Sequence, residues 1–132
     1  RGARMIFKLK VSKQTEQIFK TLDQRTGLKP YTLVKHAIAW SVREAQPLAD
    51  EDFGTDAAGL ELNRQTITGN YDAYFKAVIE QYEQRPLSED EYFPRYVKAH
   101  IDRGAVILNA MFNHAGTLDR YILQSMGIGD TV

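Results

Sequence analysis

Ile6-Phe7-Lys8-Leu9-Lys10-Val11-Ser12 decides how the rest of this chain folds. Apolar and basic side chains alternate through it, with Phe7, Leu9 and Val11 on one side and Lys8 and Lys10 on the other, the period of a half-buried strand. A lone strand leaves its backbone groups unpaired, so it needs a partner. Ser12 is a good N-cap, and beyond it the apolar positions switch to helical spacing at Thr15, Ile18, Phe19 and Leu22, closed by Gly27. The pattern predicts a helix over residues 13–26. Pro30 suits the first turn of a second helix whose stripe is Val34, Ala37, Ile38, Ser41 and Val42, widened by Leu33 and Trp40 and ended by Pro47.

Further along, residues 46–59 are acidic and rich in turn formers and read as a surface loop. Leu60 to Ile67 is a short, ambiguous stretch compatible with an extended segment ending at Gly69-Asn70. Tyr71, Tyr74, Phe75, Val78, Ile79 and Tyr82 recur at helical spacing to about Arg85, and their aromatics are expected to face a core or a partner. Ser88-Glu89-Asp90-Glu91 is a capping-box pattern, but Pro94 would clash with the Asp90 carbonyl in a helix begun there. A short acidic turn followed by a helix from about Phe93 is therefore predicted, bent at Gly104 before Val106, Leu108, Met111 and Phe112 continue it. Thr117 caps a last helix through Leu118, Tyr121, Ile122 and Met126. The fold class expected is mainly α: a short N-terminal strand, a helix-turn-helix pair and a C-terminal helical half.

The 132 residues fit one domain, with residues 1–5 expected to be flexible or an extension before a native Met5, and residues 127–132 a flexible tail. There are no cysteines, which excludes disulfides and thiolate–metal sites and suits a reducing cytoplasm. No apolar run approaches the roughly twenty residues that cross a bilayer, and the start does not read as a signal peptide. Formal neutrality hides a segregation. Residues 1–47 hold ten Lys/Arg against three acids, a balance of +7, and residues 48–132 hold seven against fourteen, a balance of −7. A domain that separates its charges can dock a polyanion on one face.

The strand–helix–turn–helix order, with lysines alternating on the strand, resembles a ribbon-helix-helix unit, in which two chains pair their strands and present the polar face to DNA. Lys8 and Lys10 would face outward; the same alternation also suits an edge strand that lysines keep soluble. The start of the second helix, near Lys29, Tyr31 and Thr32, would offer backbone N–H groups to a phosphate. Lysine suits phosphates as a point charge, whereas base edges are read by Arg, Asn or Gln. Six of the ten N-terminal bases are lysines, namely Lys8, Lys10, Lys13, Lys20, Lys29 and Lys35, so backbone binding is favoured over sequence reading.

Enzyme signatures are poor. His36, His100 and His114 form no pair at helical metal-ligand spacing, and no phosphate loop, dinucleotide fingerprint or nucleophile elbow is present. His100, Asp102 and Arg103 lie within one turn, but Asp102 does not share the face of His100. Glu89-Asp90-Glu91 suits helix capping, with a divalent ion as the other use. No cofactor, metal or catalytic residue is expected.

Asn63-Arg64-Gln65-Thr66-Ile67-Thr68-Gly69-Asn70-Tyr71-Asp72, with Lys20 to Pro30 upstream and His100-Ile101-Asp102-Arg103-Gly104 downstream, resembles the DndE family of bacterial DNA sulfur modification from about Phe7 to Phe112. That resemblance implies a small helical accessory protein that forms a homotetramer and binds double-stranded DNA, nicked duplex by preference. It would work beside a cysteine desulfurase and enzymes that replace a non-bridging phosphate oxygen with sulfur. It also implies DNA binding by surface lysines, carried here as a class to Lys8, Lys10, Lys13, Lys20, Lys29 and Lys35. Asn63, Arg64, Thr66, Gly69, Tyr71, His100, Arg103 and Gly104 match family-like motifs with no role to transfer; a structural corner with Gly69 as its turn residue is favoured for the first group. The function expected is a DNA-backbone-binding accessory protein. A sequence-specific ribbon-helix-helix repressor and an assembly scaffold for the modification complex are the alternatives.

Overall fold

The computed structural model describes residues 6–127, so residues 1–5 and the tail beyond Gly127 lie outside the described part. The opening strand is β1, Lys8–Lys10, and its partner comes from the same chain: β2, Glu61–Asn63, pairs with it antiparallel, Lys8 opposite Asn63, Leu9 opposite Leu62 and Lys10 opposite Glu61. The ambiguous stretch from Leu60 is thus extended only as far as Asn63. One edge of β1, which a ribbon-helix-helix dimer would pair with a second chain, thus has a partner from within the same chain. Leu9 and Leu62 are buried and the lysines point out, as the alternation requires.

Helices α1, Lys13–Thr26, and α2, Pro30–Ser41, follow the capping chemistry closely. Ser12 accepts from the Thr15 amide at 3.1 Å and Gly27 takes the left-handed conformation at φ 78°, a value that strains residues with a Cβ. Beyond the 46–59 loop, with its 3-10 turn Asp50–Phe53, and β2 comes the short helix α3, Arg64–Ile67, capped by the Asn63 side chain on the Gln65 amide. Gly69 then turns the chain at φ 50° into α4, Asp72–Glu83.

The capping box at Ser88 forms, with the Ser88 amide donating to Glu91 at 2.9 Å, and opens a three-residue helix α5, Glu89–Glu91. Pro94 does not halt the chain. Tyr92–Val97 widen into a π turn that accommodates the proline ring and leads directly into α6, Lys98–Ala115. α6 carries a face of Ile101, Gly104, Ala105, Leu108 and Phe112 through the centre of the molecule, and α7, Leu118–Ser125, closes the end by stacking Tyr121 on Phe112 at 4.1 Å.

α6 runs unbroken through Gly104, and this glycine serves a crossing: a Cβ there would overlap the Ala37 carbonyl and come within 2.9 Å of the Ala37 Cα. α2 and α6 therefore meet backbone to backbone. The aromatic stripe of α4 divides, with Ile79 buried and Phe75 packed on the core, while Tyr71 and Tyr74 are 71% and 67% exposed. Neither backbone at the crossing can retreat without opening the core, so Gly104→Ala is expected to cost about 3 kcal/mol, measured as a lower urea midpoint. An unchanged midpoint would place the crossing elsewhere.

Candidate functional site: carboxylate clamps and exposed lysines

Arg64 is 4% exposed, and its guanidinium is fully employed. Nε and Nη2 fork onto Asp72 at 3.0 and 2.6 Å, and Nη1 donates to Glu89 at 3.0 Å and to the Ile6 carbonyl at 2.9 Å, beneath the rings of Tyr92 and Phe93. One residue thus ties the segment leading into β1 to α4 and α5. Burial alone would raise the Asp72 carboxyl, but Arg64 and the hydroxyls of Thr68 and Tyr92 hold it below the ordinary carboxylate value. Asn63 and Gly69 also have structural tasks, as cap and turn; Thr66 and Tyr71 are exposed and unpartnered among the described residues.

Asp102 is the second clamp. Its Oδ1 accepts from the Ser12 amide at 3.1 Å and from Thr15 Oγ1 at 2.7 Å, and its Oδ2 from Thr55 Oγ1 at 2.6 Å and Lys98 Nζ at 2.8 Å. A carboxylate from α6 therefore sits at the positive end of α1 and anchors the acidic loop beside it. Asp56 of that loop accepts from the Lys13 amide at 2.9 Å; this bond and one from Ala58 hold its carboxyl low.

His100 and Arg103 form a third cluster, on a different face of α6 from Asp102. Arg103 Nε donates to Ser41 Oγ at 2.9 Å, so the serine proton is free to go to His100 Nδ1 at 2.7 Å, and Nε2–H then donates to Glu83 Oε2 at 2.9 Å. Burial pushes His100 down, against the pull of Glu83. Arg103 also donates to the Ser41 and Gln46 carbonyls and to the Tyr82 hydroxyl. His100 and Ser41 have no exposed surface, so the serine–histidine–glutamate sequence is a tether of α2, α4 and α6 and not an exposed nucleophile. Glu89 and Glu91 are directed to arginines, the latter to Arg85 at 2.7 Å.

The six lysines of interest are all exposed. Lys13 and Lys20 share the solvent stripe of α1 with Gln17 and Gln24, opposite Ile18 and Leu22, two turns apart or about 10 Å. Lys8 and Lys10 project from the outer face of the ribbon that runs into α1. Lys29 lies 3.5 Å from Asp23, which shares a shallow cavity with Lys20 and Pro30, so Lys20 and Lys29 flank one junction. Lys35 is on a separate stripe of α2 with Tyr31 and Ala39. Lys8 and Lys13 also contact carboxylates, Glu61 at 3.4 Å and Glu16 at 2.9 Å, whereas Lys10, Lys20 and Lys35 have none within 4 Å among the described residues. The signals the sequence withheld were the distant partners Ser41, Glu83 and Glu89, which no local pattern joins to His100 or Arg64.

These features define a mainly helical scaffold with exposed lysines on its first strand and first two helices, and among the described residues no group of three or more His, Asp or Glu is placed to hold a metal ion. The chain belongs to the DndE family of DNA sulphur modification proteins, whose family model matches residues 8–116. It is similar in fold to the crystal structure of DndE from Escherichia coli B7A, involved in DNA phosphorothioation modification, with a TM-score of 0.63 and 22% identity over 77% of this chain and 97% of that one. A DndE double glycine-to-lysine mutant matches at a TM-score of 0.62 and 20% identity, covering 79% and 98% of the two chains. Comparison with curated proteins gives no match. The family match ends just before α7, which the sequence resemblance also left outside.

Breaking the Arg64 pair strands two carboxylates, so Arg64→Ala is expected to cost about 3–5 kcal/mol in denaturant unfolding. Because the folded Asp72 carboxyl is depressed, its contribution is present above the ordinary aspartate pKa and is lost as pH falls through the folded value. The stability gap between the parent and Asp72→Asn should therefore shrink between about pH 6 and about pH 3; a gap that widens in acid would refute the pairing.

Proposed function

We propose that this protein is a non-catalytic, DNA-backbone-binding member of a bacterial DNA sulfur-modification system, acting in the cytoplasm on double-stranded DNA, nicked duplex included. The contacts are made by Lys8, Lys10, Lys13 and Lys20, with Lys29 and Lys35 at the margin. The observation that carries the reading is the fate of the charges. Asp72, Glu89, Asp102 and Glu83 of the acidic half are bound to groups inside the protein, while the lysines of the basic half stay exposed, Lys8, Lys13 and Lys29 in surface ion pairs and Lys10, Lys20 and Lys35 in none among the described residues. Surface ion pairs such as Lys8–Glu61 contribute little and open readily to a phosphate.

Family membership in DNA sulphur modification supplies the polyanion that such a face fits. A homotetramer would multiply the face, and the other modification proteins are its partners. The repressor alternative is disfavoured, since β1 takes its partner from β2 and the cations are lysines rather than base-reading groups. Binding by counterion release makes log affinity fall linearly with log salt. Replacing Lys8, Lys10 and Lys13 with alanine should reduce that slope by about 2–3 in fluorescence-anisotropy titrations on intact and nicked duplex. Salt-insensitive binding, or an unchanged slope in the triple variant, would refute the assignment.

A further inference from the structure

The ladder between β1 and β2 uses every second residue of β1. The Arg64 amide donates to the Phe7 carbonyl at 2.7 Å and the Val11 amide to the Leu60 carbonyl at 3.0 Å, so with Leu9 opposite Leu62 these odd-numbered residues turn their backbone groups toward β2. The N–H and C=O groups of Lys8 and Lys10 therefore point to the other edge. None of them has a protein partner among the described residues, and both lysines are exposed. Backbone groups that the protein leaves unpaired are paired by water, so this edge of the two-stranded sheet is open. On the outer face Lys8 reaches Glu61 at 3.4 Å in an exposed ion pair, and Lys10 has no carboxylate within 4 Å among the described residues. On the inner face Leu9 is buried, but Phe7 is 60% exposed although its place in the alternation belongs to the core side.

The edge thus offers unpaired backbone groups, two cations on one face and an uncovered ring on the other. A second copy of β1 fits it poorly: antiparallel pairing centred on Leu9 sets the lysines of the two copies directly opposite one another, where like charges destabilise a sheet. We infer that the open edge of β1 receives an extended segment of another protein in which acidic and apolar residues alternate, added antiparallel as a third strand. Its acids stand opposite Lys8 and Lys10, its apolar side chains cover Phe7 and extend the Leu9 side, and its backbone pairs with the open groups of the two lysines. Main-chain bonds supply affinity in such strand addition and the alternating side chains supply specificity. The open edge exists whether or not the lysines contact DNA, and a seated segment takes both of them out of reach of a duplex.

The test needs no DNA, so its outcome is separate from that of the duplex titrations. A fluorescein-labelled decapeptide alternating glutamate and valine is titrated with the intact protein and followed by anisotropy. Saturable binding below about 1 mM is expected, weakened about tenfold when Lys8→Ala and Lys10→Ala are combined, because each removes a cross-strand charge pair. In the antiparallel register the glutamate nitrogens face β1 and the valine nitrogens face away. N-methylation of the glutamates should therefore weaken binding about tenfold or more, and N-methylation of the valines should leave it within about threefold. Absence of binding up to about 1 mM would overturn the inference. So would equal binding by the N-methylglutamate peptide, or by a peptide with its glutamates and valines in separate blocks, since charge alone would then account for the contact. In the free protein, the Lys8 and Lys10 amides are expected to exchange with solvent faster than the Leu9 amide at every protein concentration. Protection of those two amides that grows with concentration would assign the edge to a second copy and overturn the inference as well.

Discussion

Backbone contact between Gly104 of α6 and Ala37 of α2 governs this molecule. With no side chain at Gly104 the two helices approach so closely that their flanking residues are committed: Ala37, Ile38, Ile101, Ala105 and Leu108 are all within 2% of full burial. One turn toward the end of α2, Ser41 then falls within reach of both His100 and Arg103, and that cluster extends to Glu83 at the end of α4. Asp102 leaves the same helix on another side to receive the N-cap of α1. A bulkier residue at 104 would displace every one of these attachments together.

The charge segregation takes its meaning from those attachments. In a chain with opposite halves, the simplest outcome is mutual neutralisation across the surface. Here the acidic half is partly drawn inward: Asp102 receives the start of α1 from a buried position, exposed Asp56 caps the same end, and Asp72 and Glu89 enclose Arg64, the one arginine buried among the described residues. Holding α1 at its N-terminus fixes which side it turns outward, so the Lys13–Lys20 stripe is a consequence of where the carboxylates are bound. The acidic residues thus orient the basic ones as well as packing and neutralising.

Much of this was legible locally. Ser12, Gly27, Pro30 and Thr117 announced their helices through backbone chemistry confined to a few residues, and the alternation around Leu9 announced the strand. The Asn63–Asp72 corner was visible as a motif and its glycine as a turn. What escaped was non-local. Gly104 carries no mark distinguishing a bend from a crossing, since only the backbone of Ala37, distant in sequence, decides between them. Pro94 implied a break because the widened turn that absorbs it depends on Tyr92, Phe93, Tyr96 and Val97 being buried together. Glu61-Leu62-Asn63 lies in a stretch compatible with an extended segment, but three residues are too few to mark it as the partner of β1. Tyr71 and Tyr74 share the period of Phe75 and Ile79, yet the stripe is wider than the surface it covers.

The functional account therefore depends on selectivity among lysines of similar chemistry. In the proposed function Lys8, Lys10, Lys13 and Lys20 contact the duplex, while Lys98 is locked to Asp102 and Lys76 leans on Glu89 at 3.6 Å. Acylation footprinting of all lysines, read by mass spectrometry with and without duplex DNA, tests this division most directly. DNA is expected to slow the modification of the β1 and α1 lysines and to leave Lys76 and Lys98 unchanged. Protection centred on Lys76, or spread evenly over the surface, would contradict it.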